Sequence, residues 1–515
     1  MRKRILSGLL IGSLLVGVAP GAAAGGEMSV VRYNYSQSEG SCTDRKSKKR
    51  ENPIVLPADT ETEEEDRSEW EHYYNVPDAG QTFTFVPESC DAVEDTETAV
   101  SAVEAMTGEL TDEQKQSPAG IDLATLYAET ASMRAASRLV PDDEITVTAA
   151  SVSDLQKIAE STNAAVEAAL NSNGVTTARE LFNTVVLMTS SSDITVHIDP
   201  DMLSSGVDNV RIETPAYALT IRLDALDEEL TETLTFQAAE IGVGYAPSKT
   251  SRSAKKSGGK KAAIRVTMPK ETMRNPITIS VPKESGETAN QSVVSLNGQS
   301  TASKYNPASG LMDAKVNSSG IYTVRSKQQN FSDIAEKSKE MQDAIRYLAS
   351  RGIADGPDGQ KGSKFNPDGS INRAEIASML VKALGKLDSS ASANFSDVSR
   401  SNWYYAAAAS SQKQGYIKGF EDQTFRGGTT ISKVQIISVS ARVLVKEMRY
   451  KTPSTPSAYL TKYSDTVDLW AQPDVALATR ENLVLYRKDG TFSGRRNMTR
   501  GDAAIIIYRL FQRLW

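Results

Sequence analysis

One pattern occurs three times after about residue 330, and this repeat constrains the fold more than any other feature of the chain. The copies open at Phe331-Ser332-Asp333-Ile334, Phe395-Ser396-Asp397-Val398 and Tyr463-Ser464-Asp465-Thr466. A unit that recurs in tandem cannot bury its apolar face alone, so the copies are expected to share a core. Each opening leads to a stretch of helical character around Ala344-Ile345, Ala407-Ala408 and Asp474-Val475. Gly352, Gly415 or Asn482 then follows, residue types that tolerate the left-handed conformation closing a helix.

A polar loop in each copy runs to a second helix start: Asn372-Arg373-Ala374-Glu375, Ser432-Lys433-Val434-Gln435 and Thr499-Arg500-Gly501-Asp502. These read as capping boxes, with Asn, Ser or Thr accepting from the first turn and the third residue on reaching back. Asp502 is a shorter partner than Glu375 or Gln435. At the first helical position stands a cation every time, Arg373, Lys433 or Arg500, where the helix dipole disfavours positive charge. A local rule broken at the same register in each copy points to function. Two readings stand at this stage. The cation and the helix N–H groups can bind a carboxylate or phosphate, or the cation can bridge to a neighbouring repeat.

These residues resemble S-layer homology domains, whose pattern is an F-S-D-V-type opening, W-A-x-x-A-I on the first helix, a G-I turn and I-T-R-A-E at the last helix. The resemblance spans roughly residues 330 to 515. It implies an all-α, pseudo-threefold anchor that binds a secondary cell-wall polysaccharide, commonly one bearing ketal-linked pyruvate, in grooves between repeats. Arg373, Lys433 and Arg500 would meet the pyruvate carboxylate. Glu340 stands where the family has tryptophan, whereas Trp403 and Trp470 keep it. Lys433 gives a point charge without arginine's two-pronged geometry, so not every groove need bind. Trp403 and Trp470 can stack on a sugar face or pack between helices. Asp333, Asp397 and Asp465 can bond ligand hydroxyls or fix the loop entering the first helix.

The chain begins with Arg2, Lys3 and Arg4, an apolar run from Ile5 to about Val18, and Ala22-Ala23-Ala24, which together predict a secretory signal peptide over 1–24 and no membrane span after cleavage. Residues 25–97 are polar and partly disordered by composition, with basic and acidic blocks and a candidate hairpin at Trp70 to Val86. Cys42 and Cys90 lie in the exported part, where a disulfide can form; free thiols or an intermolecular bridge remain alternatives. A helical segment is expected over 98–185, including a helix from Ser153 to Leu170 with Ser153 and Gln156 as its capping box and Gly174 as its stop. From Asp193 the period becomes two, in Ile194, Val196, Ile198, then Val210 and Ile212, Leu219, Ile221 and Leu223, Ile277, Ile279 and Val281. This predicts an all-β, sandwich-like region over 186–328, with Ser248 to Lys261 as a linker or long loop. The repeats are placed at 329–388, 393–450 and 461–515.

A net charge of −7 gives no basic excess for nucleic acid. His72 and His197 are the only histidines, and no Cys/His cluster, zinc-binding pair, nucleophile elbow or Walker loop accompanies them. No catalytic residue, metal or cofactor is therefore assigned. The expectation is a secreted protein of the cell wall and cell surface with a structural or adhesive N-terminal region, leaving room for self-association in a surface layer. The alternative is a wall-tethered carbohydrate-active enzyme using a carboxylate pair. Few aromatics argue against it, since of four tryptophans only Trp70 lies outside the repeats.

Overall fold

The computed structural model describes residues 95–223, 234–241, 261–268, 272–283 and 292–514. The predicted signal peptide, the hairpin at Trp70 to Val86, His72, Cys42 and Cys90, and the linker over 248–260 lie outside the described residues.

Three helices, α1 (Thr96–Gly108), α2 (Asp112–Gln116) and α3 (Pro118–Ala135), are followed by two short strands, β1 (Ser137–Leu139) and β2 (Glu144–Val147). Next comes the long helix α4 (Ala149–Ser172). Its capping box is Thr148 with Ser151, not Ser153 with Gln156, which lie a turn inside the helix. Gly174 does close it, at φ +80°. The C-terminal half of α4 places Val166 and Leu170 in an alanine-rich core with α1 and α3. Its N-terminal half, on the same face, places Val152 and Leu155 in the core of the sheets.

The remaining strands are β3 (Thr184–Met188), β4 (Asp193–Ile198), β5 (Asn209–Glu213), β6 (Ala218–Arg222), β7 (Leu234–Ile241), β8 (Lys261–Thr267) and β9 (Thr272–Pro282). They continue with β10 (Ser292–Leu296), β11 (Gln299–Ser300), β12 (Ser303–Asn306), β13 (Leu311–Ser318) and β14 (Gly320–Ser326). They form two seven-stranded sheets, ordered β1-β3-β5-β6-β9-β13-β12 and β11-β10-β14-β8-β7-β4-β2. The alternating residues Ile194, Val196, Ile198, Leu219, Ile221, Ile277 and Ile279 meet in one core between them.

The expected all-β class does not hold. β1 and β2, from the stretch read as purely helical, pair in parallel with β3 and β4, so each sheet is mixed and interlocked with the helices. The cause is visible in β3. Helices α3 and α4 cover its outer face, its burial is continuous and not alternating, and a strand covered on both faces loses the period-two signature.

In the C-terminal third, each repeat supplies a first helix, α5 (Lys339–Ser350), α7 (Tyr405–Lys413) or α9 (Gln472–Arg480), and a second, α6 (Arg373–Ala383), α8 (Lys433–Met448) or α10 (Arg500–Arg513). Gly352, Gly415 and Asn482 close the first helices with φ of 70°, 70° and 54°. The second helix of each repeat packs on the first helix of another: α6 on α7, α8 on α9, and α10 back on α5. Glu340, in the family's tryptophan position, secures that last closure by accepting Arg509 Nε at 3.0 Å and Nη2 at 2.6 Å.

This region is not all-α either. The segments entering the second helices pair with one another, through bridges Ser370–Thr499, Asn372–Thr430 and Ser432–Asn497. At their centre Ile371 N donates to Met498 O (3.0 Å), Met498 N to Ile431 O (3.1 Å) and Ile431 N to Ile371 O (3.2 Å), a closed ring of backbone hydrogen bonds. The three side chains are buried to 2% exposure or less.

Ile431→Pro removes one donor of the ring, and an orphaned buried backbone group costs about 1–3 kcal/mol. The loss should fall equally on all repeats. Denaturant unfolding read through Trp403 or Trp470, each in a variant keeping only that tryptophan, should shift by the same amount; a shift confined to Trp403 would contradict the closed ring.

Candidate functional site: three inter-repeat junctions

The ring fixes where the second helices begin, and their first turns lie against the loop of the next repeat. Arg373 N and Ala374 N donate to Thr429 O and Gly427 O, Lys433 N and Val434 N to Arg496 O and Gly494 O, and Arg500 N and Gly501 N to Gly369 O and Pro367 O, all at 2.8–3.0 Å. The third N–H is capped within the repeat, by Asn372 at Glu375 N (2.9 Å) and by Thr499 at Asp502 N (3.1 Å). Gln435 Oε1 reaches back to Ser432 N at 3.0 Å, as Glu375 Oε2 does to Asn372 N. The N–H groups that sequence reasoning left open for an anion are thus bonded to protein carbonyls, and the cations are the remaining charge.

Each cation crosses the same junction. Arg373 Nε donates to Phe425 O (2.9 Å) and Nη2 to Lys418 O (3.0 Å), with the guanidinium 4.7 Å from the Phe420 ring centre. Lys433 Nζ donates to Leu485 O (2.5 Å), 5.1 Å from the Phe492 ring centre. Arg500 Nε donates to Phe365 O (2.9 Å) and Nη2 to Asp355 O (2.7 Å), and Nη1 pairs with Glu375. All three are at most 8% exposed.

Asp333, Asp397 and Asp465 hold the loops that receive these cations. Each carboxylate accepts two consecutive backbone N–H groups, of Phe365 and Asn366, of Phe425 and Arg426, and of Phe492 and Ser493. The second residue of each pair is left-handed, at φ 58°, 54° and 52°. The aspartate therefore stabilises a strained turn that aims the preceding carbonyl and aromatic ring across the junction. Sequence reasoning missed Phe365, Phe425 and Phe492, yet each stands seven residues before the helix cap, a spacing the three copies share.

Trp403 lies over Gly359 of the first repeat, where a Cβ would come within 2.7 Å of the indole and φ is +70°, so only glycine fits. Trp403 is 43% exposed and Trp470 55%, beside Leu469 at 84%. The indoles thus keep free surface at the repeats.

The junctions differ in charge balance. The acid at the third position of the first repeat, Glu375, compensates Arg500. The equivalent in the second repeat is the neutral Gln435, and among the described residues Arg373 has no ion-pair partner. The equivalent in the third is Asp502, whose charge is felt by Lys433 without a salt bridge. Burial lowers the pKa of both arginines and pushes the Lys433 ammonium down to about 8, against the pull of Asp502 and Asp465 and with the push of Arg487 and Arg496.

The S-layer homology domain family model matches residues 330–377, 394–435 and 462–504, so the C-terminal third is a three-repeat S-layer homology region. The chain is 28% identical over 212 residues to an amylopullulanase of Thermoanaerobacterium thermosulfurigenes, covering 41% of this chain and 11% of that one. It is 27% identical over 202 residues to the surface-layer 125 kDa protein of Lysinibacillus sphaericus, covering 38% and 16%. With a cellulosome-anchoring protein of Acetivibrio thermocellus it shares 26% over 159 residues, covering 30% and 35%. The chain thus matches a minor part of each relative's length. It is a secreted cell-surface protein. Among the described residues no helix is long and apolar enough to cross a membrane, and no group of His, Cys, Asp and Glu is arranged to hold a metal. His197 lies on the face of β4 opposite Ile194, Val196 and Ile198.

Unfolded lysine titrates near 10.4, so the depressed folded value means that Lys433 opposes folding at neutral pH. That penalty fades as pH rises from about 8 toward 10.4. NMR titration of the Lys433 ammonium should give a midpoint near 8, and Asp502→Asn should lower it further. A midpoint at 10 or above would show Lys433 to be solvated and not at the junction.

Proposed function

We propose that the three repeats hold the protein non-covalently on an anionic, pyruvate-bearing secondary cell-wall polysaccharide, and that residues 95–328 form a structural or adhesive body carried by this anchor. The observation that supports the reading is the recurrence of a buried cation at every inter-repeat junction, two of the three lacking a carboxylate partner among the described residues. A buried, uncompensated charge is costly, and an incoming carboxylate relieves that cost. Arg373 and Lys433 are the principal anion-binding groups. Arg500, neutralised by Glu375, contributes least. Trp403 and Trp470 offer aromatic surface for a sugar face, while Asp333, Asp397 and Asp465 act through the loops they hold.

Several weak sites on one polymer reinforce each other through effective concentration.

The full chain should sediment with purified wall sacculi and fail to do so once acid has stripped the anionic polymer. Arg373→Gln should weaken retention about ten- to a hundredfold, the equivalent of 1.5–3 kcal/mol for a charge-assisted bond. The double change Arg500→Gln with Glu375→Gln, which neutralises a pair, should leave retention near the parent's. Equal binding to stripped sacculi would overturn the reading.

A further inference from the structure

Sheet residues and the first repeat line a cavity of about 530 Å3 that borders the Arg500 junction at Asp355 and otherwise shares no residue with the three junctions. Its wall combines β10, β11 and β13, the chain leading into the first repeat, the loop from Gly352 to Gly362, and the end of α6. The volume falls in the range of small-ligand sites, roughly 300–1,000 Å3. Five cations line it, Lys315, Lys327, Arg351, Lys361 and Lys382, against the single acid Asp355.

The acid is already engaged, since Asp355 Oδ2 bonds Lys382 Nζ at 2.7 Å. Arg351, 1% exposed, is built into the wall through Ser303 O (2.6 Å) and Ser292 O (3.2 Å). Lys315 Nζ reaches Thr278 Oγ1 at 3.0 Å, and Lys327 Nζ reaches the neutral Ser300 Oγ at 3.1 Å, a bond that leaves the Lys327 charge uncancelled. Lys361 is exposed at the mouth. Burial, reinforced by neighbouring cations, pulls Lys315 down to about 8 and lowers Lys327. Gln299, Asn317 and Gln360 add amides that both donate and accept. Such a lining suits a ligand with one or two carboxylates and many hydroxyls, and is too polar for an apolar one.

We propose that this cavity is a further binding site for a short acidic oligosaccharide segment, placed where the body meets the first repeat, with Lys327 and Lys361 as its anion-binding groups. The inference rests on the anchoring function proposed above, because it takes the ligand from the same acidic wall polymer. The site would let the polymer touch the body as well as the anchor, adding a point of attachment to a multivalent chain.

The test uses the full protein and fragments of two to four sugars cut from the purified anionic wall polymer. Lysine acylation is quantified by mass spectrometry with and without saturating fragment. Protection of Lys327 and Lys361 by fivefold or more is expected. Fragments whose carboxylates have been reduced to alcohols should give none. In Lys327→Gln with Lys361→Gln, the number of fragments bound should fall by one while retention through the junctions persists. Fragments that bind without protecting Lys327 and Lys361 would overturn this site and leave the anchoring function standing, as would equal protection by the reduced fragments for its anionic class. Failure of the protein to bind wall polymer in any form would overturn both.

Discussion

Three backbone hydrogen bonds, passed from Ile371 to Met498 to Ile431 and back to Ile371, set the geometry on which the anchor depends. A ring of this kind has no free end, so no repeat can complete its own share. Each second helix starts immediately beyond the ring, which aligns the three first turns with the loops of neighbouring repeats. Only with that alignment do Arg373, Lys433 and Arg500 reach the carbonyls across the junctions. The helix exchange follows the same logic, because α10 must return to α5 before the first repeat has a partner for its first helix. The charge imbalance at Arg373 and Lys433 is therefore a property of the assembled ring and not of any single repeat.

The anchor is also fixed to the body. Arg449, at the end of α8, forms a two-pronged pair with Asp208 before β5. Arg222, at the end of β6, donates to Glu447 O at 2.6 Å, and Glu447 itself accepts from Lys386 and Tyr416. Tyr450 bonds Asp122 on α3 at 2.9 Å, and Arg513 pairs with the same aspartate. Most of these charged groups are only partly buried, so the pairs act through geometry more than through stability. They specify one orientation of residues 95–328 against the repeats.

The repeats were legible because the same residue types recur at the same register, and the helix stops at Gly352, Gly415 and Asn482 followed from backbone sterics alone. Strands such as β4 and β9 were legible because one face meets the core and the period of two survives. β1 and β2 escaped because three or four residues carry too little pattern, and their partners lie far along the chain. The bridges among Ser370, Asn372, Thr430, Ser432, Asn497 and Thr499 escaped for a related reason: each is a single residue pair with no sequence period. At the site, the cations were legible from their misplacement against the helix dipole, whereas the carbonyls that receive their N–H groups carry no side-chain signature. The pairing of Glu375 with Arg500 joins the first repeat to the third, and that connection is visible only after the ring closes.

Hydrogen exchange at three amides tests the closed ring most directly. If Ile371, Ile431 and Met498 close one cooperative unit, their N–H groups open only in the unfolding of the whole repeat region and exchange with the same free energy. Denaturant should lower all three with one slope. An amide among them that exchanges through a local opening, with protection lower than the others by a hundredfold or more, would show that the repeats fold separately and that the junction cations are not held by a common ring.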